Sequence, residues 1–271
     1  MRDTHPVVTA PRLVATDLDG TLLRSDGTLS VRTARTLAAL AARGVPVVLV
    51  TARPVRWVRE LAEHVGPHGW IVCSNGAVLL DLVHDRIEVA RTMSAASAQS
   101  AVAAIRATAP DATFALEGLG GFAKEGAFAE RTPAPPGSPV GPIETLVQED
   151  DVLKLMARSP SARPDEFRTA VAAALPGLEV TASDLSGLVE LSAPGVTKAS
   201  MLAHVCERLG VVADEVVAFG DMPNDIPMLT WAGRSFAVGA AHPDVVAAAT
   251  ERAGSNDADA VAEVLEALLG P

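Results

Sequence analysis

Leu13-Val14-Ala15-Thr16-Asp17-Leu18-Asp19-Gly20-Thr21 is the stretch on which the fold turns. Leu13 to Thr16 read as a short buried strand, and the strand stops abruptly in two acids, a glycine and a hydroxyl. A helix follows over 31–43, with Leu37, Leu40 and Ala41 at helical spacing, and Gly44 stops it. Residues 45–50 form a nearly continuous apolar run, which suits a second strand covered on both faces. A helix over 54–64 and a strand over 70–73 complete a β-α-β-α-β rhythm, which predicts an α/β fold with a parallel, doubly wound sheet. Upstream, residues 1–10 read as a loose arm.

The rhythm then breaks. Asn75-Gly76 signals a tight turn, and 78–80 reads as a hairpin arm. Beyond it lie an Ala-rich helix over 94–108, short strands near 113–116, 152–157, 178–181 and 188–191, and a helix over 164–174. Five prolines between Thr132 and Pro142 impose a loop or an extended segment. After Gly195 the first rhythm returns: a helix over 197–209 with Met201, Leu202, Val205 and Leu209 on one stripe, a strand over 216–219 ending in Gly220-Asp221, a short helix over 224–231, a strand over 235–238 and a helix over 258–269. The expected organisation is one sheet domain, residues 1–81 and 188–271, interrupted by an α+β unit over 82–187. The connections near 81–83 and 187–195 are the expected hinges.

Composition narrows the function. The chain has 271 residues, 49% of them hydrophobic and 20% charged, which is globular rather than disordered. Asp plus Glu is 33 against 22 for Lys plus Arg, giving a net charge of −11. That balance argues against nucleic acid as a partner, because affinity for a phosphate backbone needs clustered cations. There is no Tyr, and only nine aromatic residues, so stacking platforms for single strands are not expected. No run approaches the roughly 18 apolar residues of a membrane span, and the Met-Arg-Asp start carries no apolar signal core. Cys73 and Cys206 stand too far apart in sequence for a zinc knuckle, and reduced thiols in a cytoplasmic protein are expected.

Asp17 and Asp19, two residues apart in extended chain, point the same way, at the strand end where open parallel sheets bind ligands. One reading is a polar turn with an Asp capping Gly20. The other is a hard divalent cation, which offsets the repulsion of adjacent carboxylates. Thr51 follows the second strand, Lys198 begins a helix, and Asp221, Asn224 and Asp225 follow the 216–219 strand. Singly these read as a helix cap, a solvated lysine and first-turn acids. Jointly they read as a metal–phosphate site, with carboxylates for the metal and a hydroxyl, an ammonium and backbone N–H groups for phosphoryl oxygens. An EF-hand is excluded, because Leu22 and Thr28 stand where its Gly and Glu are required. Arg53 reads equally as a partner of substrate or of the inserted unit and as a structural salt bridge. The Gly-rich segment over 117–124 reads as a loop into a cleft or, more plainly, as a hairpin turn. His64 and His68 read as loop residues, since Gly66-Pro67 breaks any helix between them.

Asp17-Leu18-Asp19-Gly20-Thr21-Leu22 resembles the first motif of the haloacid dehalogenase-like (HAD) phosphatases, and Gly220-Asp221-Met222-Pro223-Asn224-Asp225 resembles the fourth, in its Cof-type form. Thr51-Ala52-Arg53 is similar to the second motif, Lys198 to the third, and Ser74-Asn75-Gly76-Ala77 to the segment before the cap. Thr51 follows Asp17 by 34 positions and Lys198 follows Thr51 by 147, so the insert lies between the second and third motifs. The resemblance then implies a Rossmann-like core with a large α+β cap. Position 199 departs from it, with Ala where the family commonly has Gly.

The resemblance implies a Mg²⁺-dependent phosphatase acting on a small phosphorylated metabolite such as a sugar phosphate, pyridoxal phosphate or a nucleotide. A mannosyl- or trehalose-type phosphosugar phosphatase and a phosphate-ligand sensor on the same fold are its alternatives. Asp17 is the implied nucleophile, forming an aspartyl-phosphate and kept ionised by Mg²⁺ and Lys198. Asp19 is the implied acid and base and binds metal through its backbone carbonyl. Asp221 is the implied direct metal ligand, with Asn224 and Asp225 orienting it or a water. Gly20, Thr51, Ala52 and Lys198 would hold the phosphoryl group, and Arg53, Asn75 and Gly76 would touch substrate. A monomer or homodimer in the cytoplasm is expected, with no nucleic-acid or membrane partner.

Overall fold

β1 (Leu13–Thr16) is an interior strand of an eight-stranded sheet in the computed structural model, which describes residues 11–59, 61, 69–130, 132–149 and 151–270. Val14 packs into the core on one face, and Leu13 and Ala15 into the core on the other. A wide turn over 18–22 leads to α1 (Val31–Ala42), whose first turn is capped by the Ser30 hydroxyl accepting the Thr33 N–H. β2 (Val47–Val50) and β3 (Trp70–Cys73) continue the sheet in parallel. β4 (Val78–Asp81) and β5 (Arg86–Ala90) then reverse direction and extend it antiparallel.

The chain next builds a second, wholly antiparallel sheet. Its elements are α2 (Ala95–Thr108), β6 (Thr113–Gly118), β7 (Gly121–Lys124), α3 (Ile143–Leu146), β8 (Val152–Arg158), α4 (Pro164–Ala174), β9 (Glu179–Thr181) and β10 (Val189–Ser192), with strand order β7-β6-β8-β10-β9. α2 and α4 cover one face through Val102, Ile105, Phe167 and Val171 against Phe114, Leu155 and Leu191. The other face carries a smaller apolar patch, Ala115, Phe128 and Met156 with half-buried Phe122 and Leu188 against them.

The return passage lays down α5 (Lys198–Leu209), β11 (Val216–Gly220), α6 (Ile226–Trp231), β12 (Arg234–Ala237), α7 (Pro243–Ala248), β13 (Glu251–Arg252) and α8 (Ala260–Leu269). β11 lies beside β1, Leu13 opposite Val216, and β12 and β13 follow in parallel. α1 and α8 bury Leu37, Leu40, Leu265 and Leu268 on one face, while α5, α6 and α7 bury Met201, Leu202, Met228 and Val245 on the other. The doubly wound α/β sheet with an α+β insert is the expected class.

The passages between the sheets lie later than the expected boundaries at 82 and 188. β5 pairs with β4 in the large sheet, and the Arg91 N–H still donates to Ala77 O, whereas Met93 already pairs with Val152. β10 pairs with β8 and β9 in the small sheet. Residues 81–85 are therefore a hairpin turn, and the crossings fall at 91–93 and 193–196. β5 carries exposed Arg86 and Ile87 and lacks a buried pattern, so only its backbone pairing assigns it. Of the helix expected over 54–64, the described part holds a single turn, Val55–Trp57. Residue 60 and residues 62–68, with His64 and His68, lie outside the described residues.

Candidate active site

β1, β2 and β11 are neighbours in the sheet, so the residues just past their carboxyl ends, Asp17, Thr51 and Asp221, come together at one rim. Lys198 joins them from the first turn of α5, a start fixed by Thr197, whose hydroxyl accepts the Ser200 N–H. The Lys198 side chain is wholly buried and donates to Asp17 Oδ1 and to Asp225 Oδ1, each at 2.6 Å. Asp225 Oδ2 accepts the backbone N–H groups of Asp221 and Met222, each at 3.0 Å. Thr21 Oγ1 donates to Asp221 Oδ1 at 2.8 Å. Gly20 has φ +79°, and a Cβ there would lie 2.4 Å from Asp221 Oδ2, so only glycine lets the turn close over that carboxylate.

Three carboxylates face one ammonium. Burial alone would lower the Lys198 pKa, but Asp17 and Asp225 hold it above the ordinary lysine value. Burial raises the Asp17 pKa well above the usual carboxylate range, and Asp225 and Asp221 add to this while Lys198 opposes it. Asp221 is pushed up to about 7 by burial and by Asp225. Lys198 by itself therefore does not keep Asp17 low, and the residual negative charge calls for a cation. Oxygens of Asp17, Asp221 and Asp225 all lie within 4.8 Å of one another. Asp225 accepts three hydrogen bonds, one on Oδ1 and two on Oδ2, whereas Asp17 and Asp221 each accept one on Oδ1, which leaves these two more lone pairs to ligate. Asn224 Oδ1, on the same loop, is buried without a hydrogen-bond partner. An all-oxygen set with two ligating carboxylates fits a hard divalent ion that keeps part of its water shell.

A cleft of about 570 Å³ separates this rim from the second sheet. Asp17, Asp19, Thr51, Ala52 and Arg53 line one wall, and Phe122, Phe128, Met156 and Leu188 the other. Arg53 grips Asp19 with two bonds, Nε to Oδ2 at 2.8 Å and Nη2 to Oδ1 at 2.7 Å. Arg53 thus makes the salt bridge of one reading, with Asp19 as partner, and it lines the cleft. Thr51 Oγ1 accepts the Arg53 N–H at 3.0 Å.

Asn75 and Gly76, expected at the substrate, lie beneath the cleft and outside its lining. Asn75 is buried with φ +58°, and its side chain joins Glu190 and Asn224. A Cβ on Gly76 would stand 2.1 Å from Thr197 O, so this residue packs against the start of α5. Ala199 is buried against the same face of the sheet. The 117–124 segment is a hairpin, β6 to β7, in which Glu117 and Phe122 reach the cleft and the glycines do not.

Among the cleft residues that the sequence reading missed are the charged side chains Arg56, Lys154, Arg158 and Glu190. The Arg56 guanidinium pairs with Glu117 across the cleft and lies 5.0 Å from the Trp57 ring and 5.3 Å from the Phe122 ring. Lys154 is 4% exposed, pairs with Glu190 and donates to Ala52 O at 3.0 Å. The one available signal was a single charge inside each apolar run, Val152-Leu153-Lys154-Leu155-Met156 and Val189-Glu190-Leu191.

The sequence matches the haloacid dehalogenase-like hydrolase family over residues 14–265. The 5-amino-6-(5-phospho-D-ribitylamino)uracil phosphatase YcsE of Bacillus subtilis (strain 168) is 27% identical over 257 residues, 94% of each chain. The phosphoglycolate phosphatase of Methanothermobacter thermautotrophicus is 24% identical over 259 residues, 96% of this chain and 99% of the relative. Among solved structures, SMU.1108c from Streptococcus mutans UA159 superposes with a TM-score of 0.84 at 27% identity, covering 96% of this chain and 99% of that one.

Proposed function

The chain belongs to the haloacid dehalogenase-like hydrolases and is a phosphatase, and from that premise we propose that it hydrolyses small phosphomonoesters with Mg²⁺ through an aspartyl-phosphate on Asp17. The observation that carries this reading is the buried Asp17–Lys198–Asp225 triad set beside Asp221. Lys198 occupies Asp17 Oδ1 and leaves Oδ2 to attack phosphorus. As that P–O bond forms, the ester P–O bond breaks, and the leaving oxygen takes its proton from Asp19. Water then attacks the phosphorus of the acyl phosphate, Asp19 recovers a proton from it, and the Asp17 carboxylate and inorganic phosphate are released. Arg53 holds the Asp19 carboxylate at the edge of the cleft. Thr51, the backbone of Gly20 and Ala52, and Lys198 steady the phosphoryl oxygens. Asp17, Asp221 and the Asp19 carbonyl would hold Mg²⁺, with Asn224 and Asp225 fixing the loop; the ion supplies neutralisation of phosphoryl charge when bound.

The size of the cleft supports a leaving group larger than a two-carbon acid, because about 570 Å³ suits a ligand of nucleoside size. Its apolar wall, Phe122, Phe128, Met156 and Leu188, supports a ring or chain with an apolar face. We therefore favour a sugar phosphate, pyridoxal phosphate, nucleotide or ribitylaminouracil phosphate over phosphoglycolate. The two buried free thiols, Cys73 and Cys206, fit a reducing cytoplasm. Among the described residues no helix is long and apolar enough to cross a membrane. The test is phosphate release from a panel of these esters, with and without Mg²⁺, beside Asp17→Asn. Metal-dependent release that vanishes in the variant supports the reading, and full turnover by the variant overturns it.

A further inference from the structure

Three successive carbonyls, those of Thr51, Ala52 and Arg53, are tied down behind the cleft. Two of the ties are backbone contacts from the large sheet, Asn75 N–H to Thr51 O at 3.1 Å and Ser74 N–H to Arg53 O at 3.0 Å. The middle tie crosses from the other sheet. Lys154 Nζ, on β8, donates to Ala52 O at 3.0 Å. Its side chain is 6% exposed and pairs with Glu190, itself 1% exposed. Glu190 Oε2 accepts from Asn75 Nδ2 at 3.1 Å, and Asn75 Oδ1 accepts from Asn224 Nδ2 at 3.0 Å. A continuous buried chain thus runs from the Ala52 carbonyl to the loop bearing Asp221 and Asp225.

The peptide unit explains what this tie does. The Ala52 carbonyl and the Arg53 N–H belong to one rigid trans plane and point in opposite directions. Holding the carbonyl aims that N–H, and it donates to Thr51 Oγ1. With a lone pair of Oγ1 so engaged, the Thr51 hydroxyl hydrogen is directed away from Arg53 N–H and remains for an acceptor in the cleft.

We propose that Lys154 is a positioning residue: reaching across from the second sheet, it fixes the Ala52–Arg53 peptide and so aims the Thr51 hydroxyl at the transferring phosphoryl group. The proposal rests on the reading of this site as a phosphoryl-transfer centre. Because the effect falls on the phosphoryl end, it is common to every ester, whatever its leaving group. The loop is set only when the second sheet is seated.

The test pairs Lys154→Met with Glu190→Gln, so that a buried charge is not left unpaired. It compares this double variant and Lys154→Arg with the wild type, using one large ester from the panel and a small aryl phosphate. The double variant lowers kcat by about 10- to 100-fold, by the same factor on both esters, with KM changed less than about threefold, as expected for a misplaced donor. Lys154→Arg, which still donates, recovers part of the loss. Amide exchange at Arg53 and Ser74 quickens about tenfold or more in the double variant. A loss confined to KM for the large ester, with slow exchange retained, would make Lys154 a leaving-group contact and overturn the proposal. If the wild type releases no phosphate, the functional reading fails, and exchange alone decides: faster exchange supports the tie and unchanged exchange refutes it.

Discussion

Gly20 and Asp221 touch as a turn and a carboxylate touch only when no side chain lies between them: a Cβ on Gly20 would stand 2.4 Å from Asp221 Oδ2. Asp221 cannot simply yield, because Thr21 holds its other oxygen. Gly20→Ala should displace the carboxylate and lower kcat about 100-fold. The positive φ should cost about 1–2 kcal/mol of stability as well. Kinetics and thermal melts of the purified variant check both, and wild-type turnover would mean that the turn opens without disturbing the cation.

Asp17→Asn should lower turnover by about 10⁴-fold or more, since an amide neither attacks nor leaves as a carboxylate does. The fold should persist. Burial already disfavours the charged form of Asp17, so its melting temperature without added divalent ion should not fall. A cooperative melt with lost activity is the expected pair of results, and a collapsed fold would show that Asp17 matters first to structure.

Chelation should abolish turnover, and adding Mg²⁺ back should restore it. Mg²⁺ at a hundred times its dissociation constant should also stabilise the protein by about 2.7 kcal/mol, by mass action. The stabilisation should vanish in Asp221→Asn. A thermal shift titration reads this without any substrate, and an equal shift in the variant would remove Asp221 from the ligand set.

Glu117 offers a pH test away from the Asp17–Asp221–Asp225 cluster. Burial raises its pKa above the ordinary value of about 4.3, although Arg56 opposes the shift. Between the ordinary and the raised value the folded chain holds a proton that the unfolded chain has released. Stability from this group is therefore greatest below about 4.3, falls as pH rises through that window, and levels above it. Stability of the wild type minus that of Glu117→Gln, followed from pH 4 to 8 by urea unfolding, should decline with that sign. A rise would mean that the Arg56 pair outweighs burial.

The parallel sheet was legible because β1, β2 and β11 are unbroken apolar runs, each followed at once by polar groups. Strand and site announce each other there: Asp17, Thr51 and Asp221 stand at the ends of runs that admit few other readings. Lys198 was legible only beside Gly195-Val196-Thr197, since a lone lysine carries no local signal. Lys154 and Glu190 were not legible as cleft residues. A charge in a half-apolar strand reads as the outward side of the pleat, and in β8 and β10 that side faces the other sheet rather than water. Asn75 was legible as a turn residue but its burial was not, because burial depends on what a distant segment lays over it. β5 escaped for the opposite reason, having backbone partners but no buried pattern.

The adjacency of β1 and β11, Leu13 beside Val216, has a consequence for biosynthesis. Asp17 and Thr51 are made before the inserted unit, Lys198 and Asp221 after it. A nascent chain that has left the ribosome only as far as β10 can pair its antiparallel sheet, whose contacts are closer in sequence. The central parallel pairing must wait for the last third of the chain, and so distant a contact is slow to close. A chain that stops short of β11 therefore carries Asp17 and Thr51 without Asp221, and its candidate site is incomplete whatever the inserted sheet has already paired.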